Sequence, residues 1–268
     1  MSNSPLPPEL LDHVVGLLHD IPGALKSCCL VSKSWIPRAR RHLFSHVVFY
    51  TPQILQSWKT VFPDPSTSPA CYTRSLFFTH PRTITVADVE EGSWIPTFSQ
   101  VVHFEILIPG KDVGGPEVSF IAFHGFSPAL RSLRVISPGF PSSRVPDFIH
   151  SFPHLQNLAV VTDDWGGCSK GFYTQPVAIQ PPSPLAFTGS LKLYLETGMN
   201  LVAPRLLSLP NGLHFRELRL AWNCEEDVLL TMELVERCSP TLETLKVKCE
   251  HDGTIALRPH SHFWLTSL

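Results

Sequence analysis

Apolar residues follow two rhythms along this chain. Over residues 6–48 they recur at steps of three and four, and from Phe44 onward they come in short runs with apolar positions two apart. The first rhythm matches the turn of a helix, the second the alternation of a strand. Pro7 and Pro8 stand before Glu9, where proline's missing N–H has no intrahelical acceptor to lose, so a helix is predicted to start there. Leu10, Leu11, Val14, Leu17 and Leu18 would share its one apolar face. Asp20 reads as the cap of a second helix entered at Pro22, with Ala24, Leu25, Cys28 and Cys29 turned inward before Val31. Ser34 reads as the cap of a third, carrying Trp35, Ala39 and Leu43, with Pro37 in the first turn where no donor is lost. Three helices of roughly ten residues each are marginal alone, so they need a partner inside the chain or outside it.

The second rhythm is a repeat of the form apolar-x-x-apolar-x-apolar. Its central residues are Val47, Leu76, Phe104, Leu133, Leu158, Leu191, Leu218 and Leu245, separated by 29, 28, 29, 25, 33, 27 and 27 residues. Each unit supplies one short strand and a return connection, and stacking such units predicts a parallel sheet over one continuous core. Residues 145–152 and 226–238 read as helical returns. In the second, Val228, Leu229, Met232 and Val235 follow helical spacing, and acidic residues lead while Arg237 trails, as the helix dipole favours. Residues 63–69, 138–146 and 176–184 are proline-rich and read as loops, the last two lying in the shortest and longest intervals.

The run Leu6-Pro7-Pro8-Glu9-Leu10-Leu11, an apolar patch near Ile21 and Leu25, and Leu30-Val31-Ser32 followed by Trp35 resemble an F-box of the short fungal type. The resemblance covers about the first 45 residues, with Ser32 and Cys28-Cys29 departing from the usual placement of a cysteine just after the valine. It implies docking onto a Skp-type adaptor, and through it membership of a cullin–RING (SCF-type) ubiquitin ligase. Adaptor contacts would fall on Leu6, Pro7, Glu9, Leu10, Val14, Ile21, Leu25, Val31 and Trp35. The frames LRSLRVIS, LQNLAVVT, LRLAWN and LETLKVKC resemble leucine-rich repeats of degenerate type. The expected fold is therefore α/β: an F-box-like helical domain over residues 1–43 and a curved, leucine-rich-repeat-like solenoid with a parallel sheet over residues 44–268.

Composition narrows the partners. The chain has 268 residues, 43% of them hydrophobic, ample for a core. With 21 Lys and Arg against 23 Asp and Glu, the net charge of -2 does not suggest a nucleic-acid partner. Only 16% of residues are charged while 26 are proline, which favours many short elements joined by turns. The odd cysteine count of 7, no Cys-x-x-Cys pair and no leader-like N-terminus suggest a reducing compartment, cytoplasmic or nuclear. No apolar run reaches the length of a membrane span, so no membrane partner is expected.

No nucleophile elbow, phosphate loop, zinc-protease helix or dinucleotide fingerprint occurs, so neither an enzyme nor a cofactor is indicated. Cys249, His251, His260 and His262 have ligand-like spacings, but they equally suit a solvated tail, and no metal site is assigned. Arg38, Arg40, Arg41 and His42 suit the C-terminal end of a helix, and Asp163-Asp164 suit a turn. The outward central positions of successive strands are Glu105, Arg134, Ala159, Lys192, Arg219 and Lys246, a largely cationic row continued by Lys248. On the solenoid's inner face, Arg134, Lys192, Arg219, Lys246 and Lys248 would meet an acidic or phosphorylated target protein. The expected function is substrate recruitment, without catalysis of its own. The alternative is a repeat scaffold whose helices merely cap the first strand, burying Leu6, Pro7 and Leu10 against residues 44–80. Residues 255–257 and 263–268 read as the opening of another unit, which would either close the sheet's edge or leave it exposed.

Overall fold

The computed structural model describes residues 7–79, 94–107, 126–136, 149, 152, 154–162, 187–195, 199–209, 212–222, 227–249 and 264–265. It opens with three helices, α1 Pro8–Leu17, α2 Pro22–Val31 and α3 Ile36–Leu43. All three carry proline in the first turn, and none has a side-chain cap. The caps predicted at Asp20 and Ser34 are not formed: the cap positions fall on Ile21 and Trp35, because Pro22 and Pro37 already remove one orphan donor from each first turn. The Ser34 carbonyl accepts a 2.8 Å hydrogen bond from the Arg38 guanidinium instead.

The apolar positions of α1 split into two stripes rather than one face. Leu11 and Val15 are buried and Leu18 packs beside them, whereas Leu10, Val14 and Leu17 are exposed. Successive residues turn by about 100°, so five apolar positions cover an arc wider than one contact can bury. Val15, Leu25, Cys28 and Ala39 form a small core of their own, with Leu18, Cys29, Trp35 and Leu43 at its rim. Asp12 pairs with Arg38 at 2.5 Å and so ties α1 to α3.

The strands make one sheet in which sequence order is spatial order: β1 His46–Phe49, β2 Ser75–Phe78, β3 His103–Leu107, β4 Ser132–Ile136, β5 Asn157–Thr162, β6 Ser190–Leu195, β7 Glu217–Trp222, β8 Thr244–Cys249 and β9 Trp264–Leu265. Strands β1 to β8 are all parallel, and the eight predicted centres pair with one another in a single row, from Val47 with Leu76 through to Leu218 with Leu245. β9 runs antiparallel to β8, so Trp264 and Leu265 line that edge instead of opening a further parallel unit.

The entry to each strand repeats one hydrogen-bond device. The carbonyls of Ser45, Arg74, Val102 and Arg131, each two residues before a centre, accept from two successive N–H groups at the entry of the next strand. Gly189 and Arg216 continue the series. At the step from β5 to β6 the device changes. The Gln156 carbonyl accepts only from Gly189 N–H at 3.2 Å, and the Asn157 side-chain oxygen takes the Ser190 N–H at 2.9 Å.

One face of the sheet is core. Leu76, Phe78, Phe104, Ile106, Leu133, Val135, Leu158, Val160, Leu191, Leu193, Leu218 and Leu220 are all at most 1% exposed. Among the described residues three helices in returns pack on this core: α4 Pro52–Val61, α5 Met199–Leu207 and α6 Asp227–Cys238. α4 starts where Thr51 accepts from Ile54 N–H ahead of Pro52, and its Trp58 meets Phe44, Phe49 and Phe98 with ring centroids within 6 Å. In α6 the buried residues are Asp227, Thr231, Leu234 and Cys238; of the four apolar residues at helical spacing, Val235 packs on the core while Val228, Leu229 and Met232 are exposed. Of residues 145–152, Ile149 and Phe152 are buried and the others lie outside the described residues, as do residues 138–146, 163–164 and 176–184.

Candidate docking face and sheet surface

Two surfaces carry the side chains singled out in the sequence. The first is on the helical module. Because Leu11, Val15, Leu25, Cys28 and Ala39 already fill its interior, the remaining apolar side chains point to solvent: Leu10 at 51% exposure, Leu17 at 69%, Ile21 at 54%, Leu30 at 88% and Val31 at 67%. Val14 is exposed as well, and Pro7 and Glu9 lie at the same open end of α1. So many large apolar groups left open on about thirty residues are unusual for a surface that meets only water.

Leu25 does not belong to this surface. It is 1% exposed and turned into the helical core, since its position on α2 puts it with Cys28 on the side facing α3. Trp35 is half-buried at the rim of that core. Leu6 lies outside the described residues. Leu17 and Leu30, outside the contact set that the F-box resemblance implies, continue the same exposed apolar surface.

The second surface is the open face of the sheet. Its middle row is Glu105, Arg134, Ala159, Lys192, Arg219 and Lys246, which pair strand to strand in that order. Arg134 lies 3.4 Å from Glu105, and Arg219 lies 2.6 Å from Glu217 on its own strand. The Glu217 hydrogen bond raises the Arg219 pKa, so this guanidinium stays charged throughout the physiological range. Lys192 has no carboxylate partner among the described residues. Lys246 ends the row on β8, and the exposed Lys248 stands two residues further along that strand, paired with Ala221.

Flanking rows give this strip two different sides. Ser132, Asn157 and Ser190 stand at the strand starts, and Asn157 Oδ1 accepts from both the backbone N–H and the hydroxyl of Ser190. On the other side Leu107, Ile136, Val161, Tyr194 and Ala221 pair in one line, the next outward positions along each strand. Ala159, small between Arg134 and Lys192, leaves an open concavity of about 390 Å³ lined also by Val161, Tyr194 and Arg219.

Among the described residues no three metal-ligating side chains gather, and His251, His260 and His262 lie outside them. No described helix is long and apolar enough to cross a membrane. Neither a protein-family model, nor a curated protein, nor a solved structure matches this chain.

Proposed function

We propose that this chain is a substrate-recruiting subunit of a cullin–RING ubiquitin ligase, with α1 to α3 docking a Skp-type adaptor and the open sheet face holding a target protein. The observation that carries the reading is the exposed apolar surface of Leu10, Val14, Leu17, Ile21, Leu30 and Val31 on a module whose own core is already filled. Apolar burial drives association, and a few such anchors dominate most interfaces. Asp12 with Arg38 ties α1 to α3, and the contact of α3 with the turn Pro69–Tyr72 joins the module to the rest of the chain without using that surface. The chain itself contributes no catalytic step; ubiquitin transfer belongs to the other subunits.

A repeat scaffold with the helices as a mere cap requires Pro7 and Leu10 to be packed against residues 44–80. Both are exposed, which favours the adaptor reading. The test is capture of a purified Skp-type adaptor by the full chain. Capture that is lost in the Leu10→Ala, Val31→Ala double variant is the expected result, and absence of capture by the unaltered chain overturns the proposal.

A further inference from the structure

We infer that the open face of β3 to β8 binds an extended peptide in which acidic and apolar residues alternate, seated between the cationic row and the apolar row. The inference deepens the target side of the proposed function, and rests on it only in taking the peptide to be part of the recruited protein.

The two rows run side by side across the strands. One is Glu105, Arg134, Ala159, Lys192, Arg219 and Lys246, cationic from β4 onward except at Ala159; the other, two residues further along each strand, is Leu107, Ile136, Val161, Tyr194 and Ala221, apolar from β3 to β7 and ending on β8 at Lys248. Same-face neighbours on a strand are about 6.8 Å apart, and an extended peptide laid between the rows directs successive side chains alternately to either side. One side is met by cations and the other by apolar groups. At about 4.8 Å per strand, the five steps from β3 to β8 span roughly 24 Å, the length of seven or eight extended residues. The gap above Ala159 gives one peptide side chain room to sink between Arg134 and Lys192.

Separate carboxylates suit this surface better than one concentrated anion. The cations are distributed along a line rather than gathered at one point, and two of them already tolerate a neighbouring carboxylate, Glu105 at 3.4 Å and Glu217 at 2.6 Å. Lys192, with no carboxylate partner among the described residues, is the strongest single attractor for a monoanionic side chain.

The test uses the full chain and fluorescein-labelled peptides of about ten residues, long enough for the span given by the strand spacing, with affinity read by fluorescence anisotropy. A Glu-Leu alternating peptide is expected to bind at least ~10-fold more tightly than its Lys-Leu and Glu-Ser counterparts, and to weaken as salt is raised. Lys192→Gln is expected to weaken it about two- to fivefold, the range of one exposed ion pair, and Val161→Ser to weaken it while thermal unfolding is held as the folding control. The peptide substitutions leave the protein untouched, so a variant that fails to fold does not remove the test. Equal binding of Glu-Leu and Lys-Leu peptides, or no binding, overturns the inference. A phosphoserine-Leu peptide binding more than ~10-fold tighter than Glu-Leu overturns it in favour of a phosphorylated ligand. Adaptor capture is measured separately: peptide binding without capture sinks the ligase reading alone, and capture without peptide binding sinks this inference alone.

Discussion

Leu10 and Leu25 sit on adjacent helices of the same module and are predicted to answer truncation in opposite ways. Full burial of a leucine side chain contributes about 1.5–3 kcal/mol. Leu10 is 51% exposed, so about half of that remains for a partner to supply. Leu10→Ala should therefore weaken adaptor binding by ~0.8–1.5 kcal/mol, or about 4- to 13-fold in Kd. Its effect on folding should stay within about 0.5 kcal/mol, as for other surface substitutions. Leu25 is 1% exposed and has nothing further to bury. Leu25→Ala instead leaves a cavity among Val15, Cys28 and Ala39, costing about 2–5 kcal/mol, comparable to all the stability so small a helical core holds. Urea unfolding followed by circular dichroism gives the stability of each variant, and surface plasmon resonance with a Skp-type adaptor gives its affinity. The reasoning fails if Leu10→Ala binds within twofold of the unaltered chain, or if it destabilises folding as much as Leu25→Ala.

Three further outcomes are expected. In Gly189→Ala the new Cβ would lie 2.4 Å from Asn157 Oδ1 and 2.8 Å from the Gln156 carbonyl; the overlap, about 1–3 kcal/mol, outweighs the ~0.4–1 kcal/mol gained by stiffening the unfolded chain. Urea unfolding should show a net loss, only partly restored by adding Asn157→Ala because the backbone contact remains, and a Gly189→Ala protein as stable as the original contradicts this. Thr73→Val removes a fully buried hydroxyl that has no hydrogen-bond partner among the described residues, and thermal unfolding should show a gain of about 1 kcal/mol; a loss would mean the hydroxyl is satisfied in solution. Burial pushes the Cys238 thiol up to about 11, so the unfolded chain releases this proton first as pH rises. Stability from this group is complete below about pH 8.5 and declines toward pH 11 by up to ~1.4 kcal/mol per unit. Cys238→Ala should flatten that part of the stability–pH curve, and an unchanged slope refutes the assignment.

The period of the apolar runs was enough to place eight strands, and their centres align residue for residue in the sheet. That works because alternation within a strand and spacing between strands are local properties, and a parallel stack needs only that each unit present the same two inward side chains. The same reasoning was weaker on helices. α4 is signalled in the sequence by Thr51 followed by Pro52, a helix-start pair standing just ahead of the proline-rich stretch 63–69. In α6 the helical spacing of Val228, Leu229, Met232 and Val235 does not mark the inward face: of these four Val235 alone packs on the core, and Asp227, Thr231, Leu234 and Cys238 fill it.

What the sequence by itself determined is the order of three proline-started helices followed by repeating strands whose inward residues share one row. Which apolar stripe of α1 would be buried was decided only by tertiary structure, because a wide apolar arc leaves the angle of contact open until Leu25, Cys28 and Ala39 take the Leu11–Val15 side. The same holds for the sheet surface. Each cation was visible singly, but the line of Leu107, Ile136, Val161 and Tyr194 beside them, and the need for glycine at 189, exist only once the strands stand in register. Register is a long-range property: residues some thirty positions apart become neighbours at about 4.8 Å, and no local pattern states which side chains will then share a surface.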